Sequence, residues 1–180
     1  KAFADKVIKK QKDRYFSYVE RIADVYNDLD LQRYAVIVGD SSYAQALARF
    51  LSDDLGWLPE LVVITDILSE EQKENVRKRF TGFESGLTPR VVFDTDTSSI
   101  KRHLRDTWPN NRGSKYFNSF SPAFILGSAF ERDLADELKV PHLSVTYPIS
   151  NRVVMDRAYA GCDGSIRLIE DIFSTLVGNR

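Results

Sequence analysis

The chain has 180 residues, 43% hydrophobic and 28% charged, with a formal net charge of -1. That is about one domain's length with enough apolar residues for a core, and the balanced charge argues against a nucleic-acid binder, which shows a basic excess or stripe. No apolar run reaches the roughly 18 residues that a membrane-spanning helix needs, and the charged start "KAFADKVIKKQKDRYF" lacks the apolar stretch of a signal peptide.

Val7, Ile8, Phe16, Val19, Ile22, Ala23 and Tyr26 recur at spacings of three and four, which predicts an amphipathic helix filling most of residues 1–30. Its Phe16, Val19, Ile22 and Tyr26 stripe is free to swing away or to pair with another copy. "YAVIV" then reads as a buried parallel strand ending at Gly39. Ala44, Leu47, Ala48, Leu51 and Leu55 stripe the following helix, with Asp40, Ser41 or Ser42 as its cap, a capping box of Ser42 with Gln45, and Gly56 as its stop.

The alternation continues. "LVVIT" is a second strand, and Ser69 with Gln72 opens a sparsely apolar helix carrying Val76 and Phe80. "RVVF" is a third strand, and Ile100 and Leu104 mark a short helix that must stop before Pro109. After a loop, "NNRGSKYFNS", come a fourth strand, "AFIL", and a helix striped by Phe130, Leu134 and Leu138. "HLSV" is the fifth strand, and Ile166, Ile169, Ile172, Phe173, Leu176 and Val177 give the last helix a wide apolar face. Short apolar strands alternating with amphipathic helices predict an α/β fold over residues 31–180, an open doubly wound parallel sheet of about five strands with helices on both faces, Rossmann-like or flavodoxin-like.

Ligands of such sheets sit at the carboxyl ends of the strands. "VGDSSYAQ" at the first of these ends lacks both GxGxxG and the P-loop pattern, and Asp40 would set a negative charge beside any phosphate. "VVFDTDTSS" resembles the strand–DxD start of haloacid-dehalogenase phosphatases. By that likeness Asp94 would be the nucleophile, Asp96 the acid/base, and Mg²⁺ the bridge to phosphate. Ser98 departs from that family's Thr or Val, the motif follows the third strand rather than the first, and an Asp/Thr cluster that caps a helix explains the same residues. His103 falls on a basic face with Lys101, Arg102 and Arg105 and reads as solvated, while His142 opens the fifth strand. The lone Cys162 excludes an intrachain disulfide, fits a reducing, cytoplasmic setting, and leaves no zinc spacing. Met155 is the only methionine, so the sequence is expected to be a piece of a longer subunit.

Residues 147–164, "YPISNRVVMDRAYAGCDG", are far longer than an ordinary strand-to-helix connection. This stretch and what surrounds it, "SPAFILGSAFERDLADELKVPHLSVTYPISNRVVMDRAYAGCDGSIRLIEDIF", resemble the nitrogenase component 1 family, the molybdenum–iron protein and its relatives. The family pattern there is a strand with GSS, a helix, "lgiP", a strand, "ffPifDR" and "GyeGa". "RYAVIVGDSSYAQALARFLSDDLGWLPELVVIT" is similar to the family's "gkrvaifGDpdlvlglarfLleLGmepv". Tyr147-Pro148-Ile149 matches the β-type turn rather than the histidine-bearing α type; Asn151 in place of Asp and Cys162 in place of an aromatic depart from it.

The resemblance implies a Rossmann-like domain of a β subunit whose parent reduces dinitrogen with electrons from a partner iron protein. The iron–sulfur cluster and the iron–molybdenum-type cofactor would be held by other domains or subunits. This chain would then have no catalytic, cofactor-binding or metal-binding residue of its own. It would serve as scaffold and interface toward sister domains and an α-type subunit, with Arg152, Asp156 and Arg157 as contact residues. Two alternatives stand beside it: a domain of a non-catalytic cofactor-assembly scaffold of the same family, and a Mg²⁺-dependent phosphotransfer enzyme using Asp94 and Asp96.

Overall fold

The structure, a computed structural model, describes residues 2–28, 33–107, 124–149, 153 and 158–178. It divides into two compact units, Lys1–Leu31 with Val153–Arg180, and Gln32–Arg152. The last helix therefore groups with the first.

The unit Gln32–Arg152 is built on five parallel strands: β1 (Tyr34–Gly39), β2 (Leu58–Ile64), β3 (Arg90–Phe93), β4 (Phe124–Gly127) and β5 (His142–Ser144), in the order β3-β2-β1-β4-β5. β1 and β2 are almost wholly buried, as expected of strands covered on both faces. β2 starts earlier than the "LVVIT" run because the register shifts between Ala35 and Val36, passing from Pro59 to Leu61. Such a bulge accommodates Pro59, which has no N–H to give a regular ladder.

Between the strands lie α2 (Ser41–Arg49, continued by a π-helical turn over Phe50–Asp54), α3 (Glu70–Arg79), α4 (Ile100–Thr107) and α5 (Arg132–Leu138). Strand order runs outward from β1 to β3 and then returns to β4 and β5. Right-handed crossovers thus place α2 and α3 on one face and α4 and α5 on the other. Packing agrees. Val36, Val38, Leu61, Val63 and Ile125 form one cluster with Ile100 of α4 and Ala135 of α5. On strands successive side chains alternate faces, so Phe93, in register with Ile64, looks the other way, and there Arg77 of α3 lies 4.9 Å over its ring. Trp57 and Phe124 meet edge to face at 5.4 Å, both fully buried. Ser69 and Gln72 form the expected reciprocal capping box at the start of α3.

The other unit holds α1 (Ala2–Asp28) and α6 (Gly161–Gly178). Tyr26 meets Phe173 at 5.7 Å and Arg14 pairs with Asp163 at 3.3 Å. Gly164 is required: a Cβ there would lie 2.4 Å from the carbonyl carbon of Tyr159. Much of α1's apolar set faces solvent, with Phe3 81% and Phe16 58% exposed. The loop of residues 110–119 lies outside the described residues.

Candidate functional site

The winding direction reverses between β1 and β4, and a crevice of about 480 Å³ opens there at the carboxyl ends of the strands. β1 contributes Gly39 and Asp40, and β2 is followed by Thr65. Thr95 and Asp96 follow β3, Ser128, Phe130 and Glu131 follow β4, and Thr146 and Tyr147 follow β5. Three carboxylates and several hydroxyls thus line it, and no lysine, arginine or histidine does so among the described residues.

Each wall has a local cause. Asp40 is the N-cap of α2, accepting from Ser42 N at 3.0 Å and Tyr43 N at 2.9 Å through Oδ1. The expected capping box of Ser42 with Gln45 is therefore corrected: the helix starts two residues earlier, where an extended Asp40 reaches two amide donors at once. Ser41 N donates to Asp66 Oδ2 at 2.8 Å, so the first turn of α2 is satisfied by two carboxylates. Across the crevice, Ser128 and Glu131 form a capping box of the S-x-x-E type. Glu131 Oε2 accepts from Ser128 N at 2.6 Å and from Ser128 Oγ at 2.8 Å. Glu131 is 1% exposed. Gly127 leaves room for it, since a Cβ there would sit 2.6 Å from Glu131 Oε2.

Phe130 is not part of the α5 core stripe, as its spacing from Leu134 predicted, but is 66% exposed. A 3₁₀ turn over Ala129–Glu131 precedes α5, and its tighter winding rotates Phe130 out of phase with Leu134 and Leu138. The Ser128–Glu131 box was readable in "SAFE" but was not singled out.

Asp94 and Asp96 stand at the end of β3. Asp94 Oδ1 accepts from Asp96 N at 3.0 Å, and its Oδ2 from Ser99 Oγ at 2.5 Å, while His103 Nε2 lies 3.0 Å away. The Ser99 hydroxyl, then His103 and the Asp96 amide, hold the Asp94 carboxyl down at about 2, below its ordinary 3.8. Asp96 Oδ1 accepts from Ser98 N at 3.0 Å. Both carboxylates cap the turn into α4. The phosphotransfer reading needs them on one ion, whereas Asp94 is committed to three neighbours. His103 is not solvated as expected: its side chain is 12% exposed, because α4 turns it inward onto Asp94, while the exposed Arg102 reaches the same carboxylate oxygen from the solvent side at 3.9 Å.

Beyond β5 the chain is anchored by Thr146 N to Gly127 O at 2.9 Å and by Ala129 N to Pro148 O at 2.7 Å. Tyr147 is 92% exposed at the crevice mouth. Arg152, Asp156 and Arg157, the expected contact residues, lie outside the described residues. Cys162 is an exposed thiol in the first turn of α6. His142 is half-buried; burial pushes its pKa down, against the Ser128 carbonyl and the charges of Glu131 and Asp136.

Among the described residues no three His, Cys, Asp or Glu side chains are grouped as a metal site. Iron–sulfur clusters are held by several thiolates, and this chain has one. Its residues do not fit such a group as sole holder. No described helix is long and apolar enough to cross a membrane.

Comparison with known proteins meets this geometry. The family model described as nitrogenase component 1 type oxidoreductase matches residues 1–177. The nitrogenase molybdenum-iron protein beta chain of Methanococcus maripaludis is 26% identical over 160 residues, covering 88% of this chain and 31% of that one. The same protein from its strain S2 gives the same figures. A solved structure, nitrogenase Cp1 at pH 6.5, shares the fold with a TM-score of 0.66 and 21% identity, over 96% of this chain and 33% of its own. The chain thus spans about a third of the length of the relatives it matches. Because the family pattern runs through the doubly wound sheet, the strand-end crevice and both long helices alike, the chain belongs to the nitrogenase component 1 type oxidoreductase family.

Proposed function

We propose that the chain is a Rossmann-like domain, led by its N-terminal helix, of a molybdenum–iron-type β subunit. The observation that carries this is the 26% identity with a molybdenum-iron protein beta chain through 88% of this chain but only 31% of that one. Together with a single exposed cysteine, that coverage supports a division of labour. The parent reduces dinitrogen in the cytoplasm with electrons from a partner iron protein. Its clusters are bound by thiolates elsewhere, and this domain supplies scaffold and contact surface to sister domains and an α-type subunit. Arg152, Asp156 and Arg157 are the proposed contact residues.

The test is metal analysis of the purified 180-residue chain after anaerobic incubation with iron and sulfide. The expected product is colourless, folded by circular dichroism, and free of stoichiometric iron. A visible charge-transfer band that disappears in Cys162→Ala would overturn the scaffold reading. A second arm co-expresses the chain with an α-type subunit. Charge reversal at Arg152 and Arg157 is expected to weaken co-purification about tenfold, the loss of roughly 1.4 kcal/mol of contact energy.

A further inference from the structure

We propose that the first half of α1 is an arm that docks, antiparallel, on the same arm of a second copy of this chain. The inference goes beyond the scaffold role and stands on α1 and α6 alone.

The arm arises because two parallel helices of unequal length pack side by side. Arg14 of α1 pairs with Asp163 at the start of α6, and further along both helices Tyr26 meets Phe173. α6 therefore begins level with Arg14, and residues 2–14 of α1 project past it, roughly 20 Å of helix at 1.5 Å per residue. Every residue from 2 to 14 is exposed. Tyr159, just before α6, packs down along that helix at Gly164 and Asp171, away from the arm.

The exposed arm keeps the pattern of a packed helix. Ala4, Ile8, Gln11, Tyr15, Tyr18 and Ile22 follow at alternating spacings of four and three, the a and d seam of a heptad repeat. From Tyr15 onward the seam is half-buried at Tyr15, Tyr18 and Ile22, where α6 lies. Ahead of α6 it is open, with Ile8 54% and the adjacent Val7 45% exposed. A short helix without packing on its apolar side is marginal, and the open seam is the side that a further helix would take.

Charge selects that helix. Asp5 and Lys12 hold the e positions flanking the arm's seam, before and after Ile8. Two arms laid antiparallel about a two-fold axis beside Ile8 bring Asp5 of each copy alongside Lys12 of the other, so the patch complements itself as a two-fold interface requires. Lys6, Lys9 and Lys10 fall on the outer sides of the helix, away from the seam. A parallel pair would match Lys12 with Val7 and lose both ion pairs, and it would set the two α6 helices against the same face. In the antiparallel pair each arm fills the room that ends where the other copy's α6 begins. An anionic lipid surface would attract the lysines but also meet Asp5. Arms this short make an interface at the low end of the usual sizes, so a micromolar dimer is expected.

Sedimentation equilibrium of the 180-residue chain over a concentration series tests this. A reversible monomer–dimer equilibrium is expected. Ile8→Asp, at an exposed site, is expected to abolish the dimer and leave the far-ultraviolet circular dichroism unchanged. Lys12→Asp sets like charges together twice and is expected to weaken the dimer about tenfold. The double variant Asp5→Lys with Lys12→Asp is expected to restore it. A monomer at every concentration, a dimer indifferent to Ile8→Asp, or a double variant no tighter than Lys12→Asp would overturn the proposal. So would a chain that stays monomeric yet co-sediments with equimolar phosphatidylglycerol–phosphatidylcholine vesicles, which would assign the arm to a lipid surface.

Discussion

Two acidic clusters stand at the strand ends, and they are built in opposite ways. At the end of β3, Asp94 is met by a hydroxyl, an imidazole and an amide, and its charge is spent inside the fold. In the adjacent crevice, Asp40, Asp96 and Glu131 each retain an oxygen that the described residues do not occupy. The same residue type thus does two jobs. A saturated carboxylate ties a turn to a helix, and an unsaturated one keeps an acceptor free, buried at Glu131 and on the crevice wall at Asp40 and Asp96.

The largest expected effect is on the crevice wall. Gly127→Ala puts a Cβ 2.6 Å from Glu131 Oε2, a buried oxygen already held by Ser128. The carboxylate must leave its cap or the strand must shift. Either route costs about 2–4 kcal/mol by chemical denaturation, the range for disrupting a buried polar network. A loss below about 0.5 kcal/mol would mean that Glu131 is not pinned, and the contrast between the clusters would fail on that side.

The next effect belongs to the closed cluster. Asp94→Asn removes a charge that three hydrogen-bonding neighbours and the exposed Arg102 stabilise, and is expected to cost about 1–2 kcal/mol at neutral pH. The carboxyl titrates at about 2 in the fold against 3.8 ordinarily, so its stabilisation is complete above about 4 and is lost as pH falls toward 2. The wild-type chain should show that acid limb in denaturant midpoints, and Asp94→Asn should show less of it. Equal limbs in both proteins would sink this assignment.

How far the sequence revealed these clusters depends on the range of the interactions that make them. Strand positions were legible because β1, β2 and β4 are runs of apolar residues bounded by Gly, Asp and Ser. The Ser69–Gln72 box was legible because both partners lie within one turn. The DTDTSS turn was recognisable as a helix-capping cluster for the same reason. His103 was not, because its helical face looks basic and its partner Asp94 lies nine residues back on a strand end. Phe130 was misplaced because helical spacing assumes an α-turn, and the chain makes a 3₁₀ turn there. Glu131 escaped notice because charged residues are rarely buried, and only the missing Cβ of Gly127 makes room for it. The crevice as a unit draws on five strand ends and needed the topology to exist at all.

A smaller effect separates the clusters by pH. His142 lies near Glu131, and burial holds its pKa below the usual histidine value of 6.5. A depressed histidine is neutral in the fold, so stability is complete above about 6.5 and declines as pH falls below it. The decline should be gentler than the loss in Asp94→Asn and should flatten in His142→Gln. The Glu131 side of the sheet would then respond to pH just below neutrality, while the Asp94 turn responds only in strong acid. A wild-type midpoint that is level between pH 7 and 5 would contradict this.

The smallest expected change in stability is the most informative for the comparison. In Asp96→Asn the side-chain oxygen that accepts from Ser98 N is retained, since an amide carbonyl accepts as a carboxylate oxygen does. Only the charge and the Oδ2 acceptor are lost, and among the described residues nothing in the fold uses that oxygen. The variant should stay within about 0.5 kcal/mol of wild type, the usual range for surface changes away from special features. Two neighbouring aspartates, two residues apart on one turn, would then differ in whether the fold depends on their charge. If Asp96→Asn instead costs as much stability as Asp94→Asn, the crevice carboxylates belong to the scaffold, and the open cluster is only a second closed one.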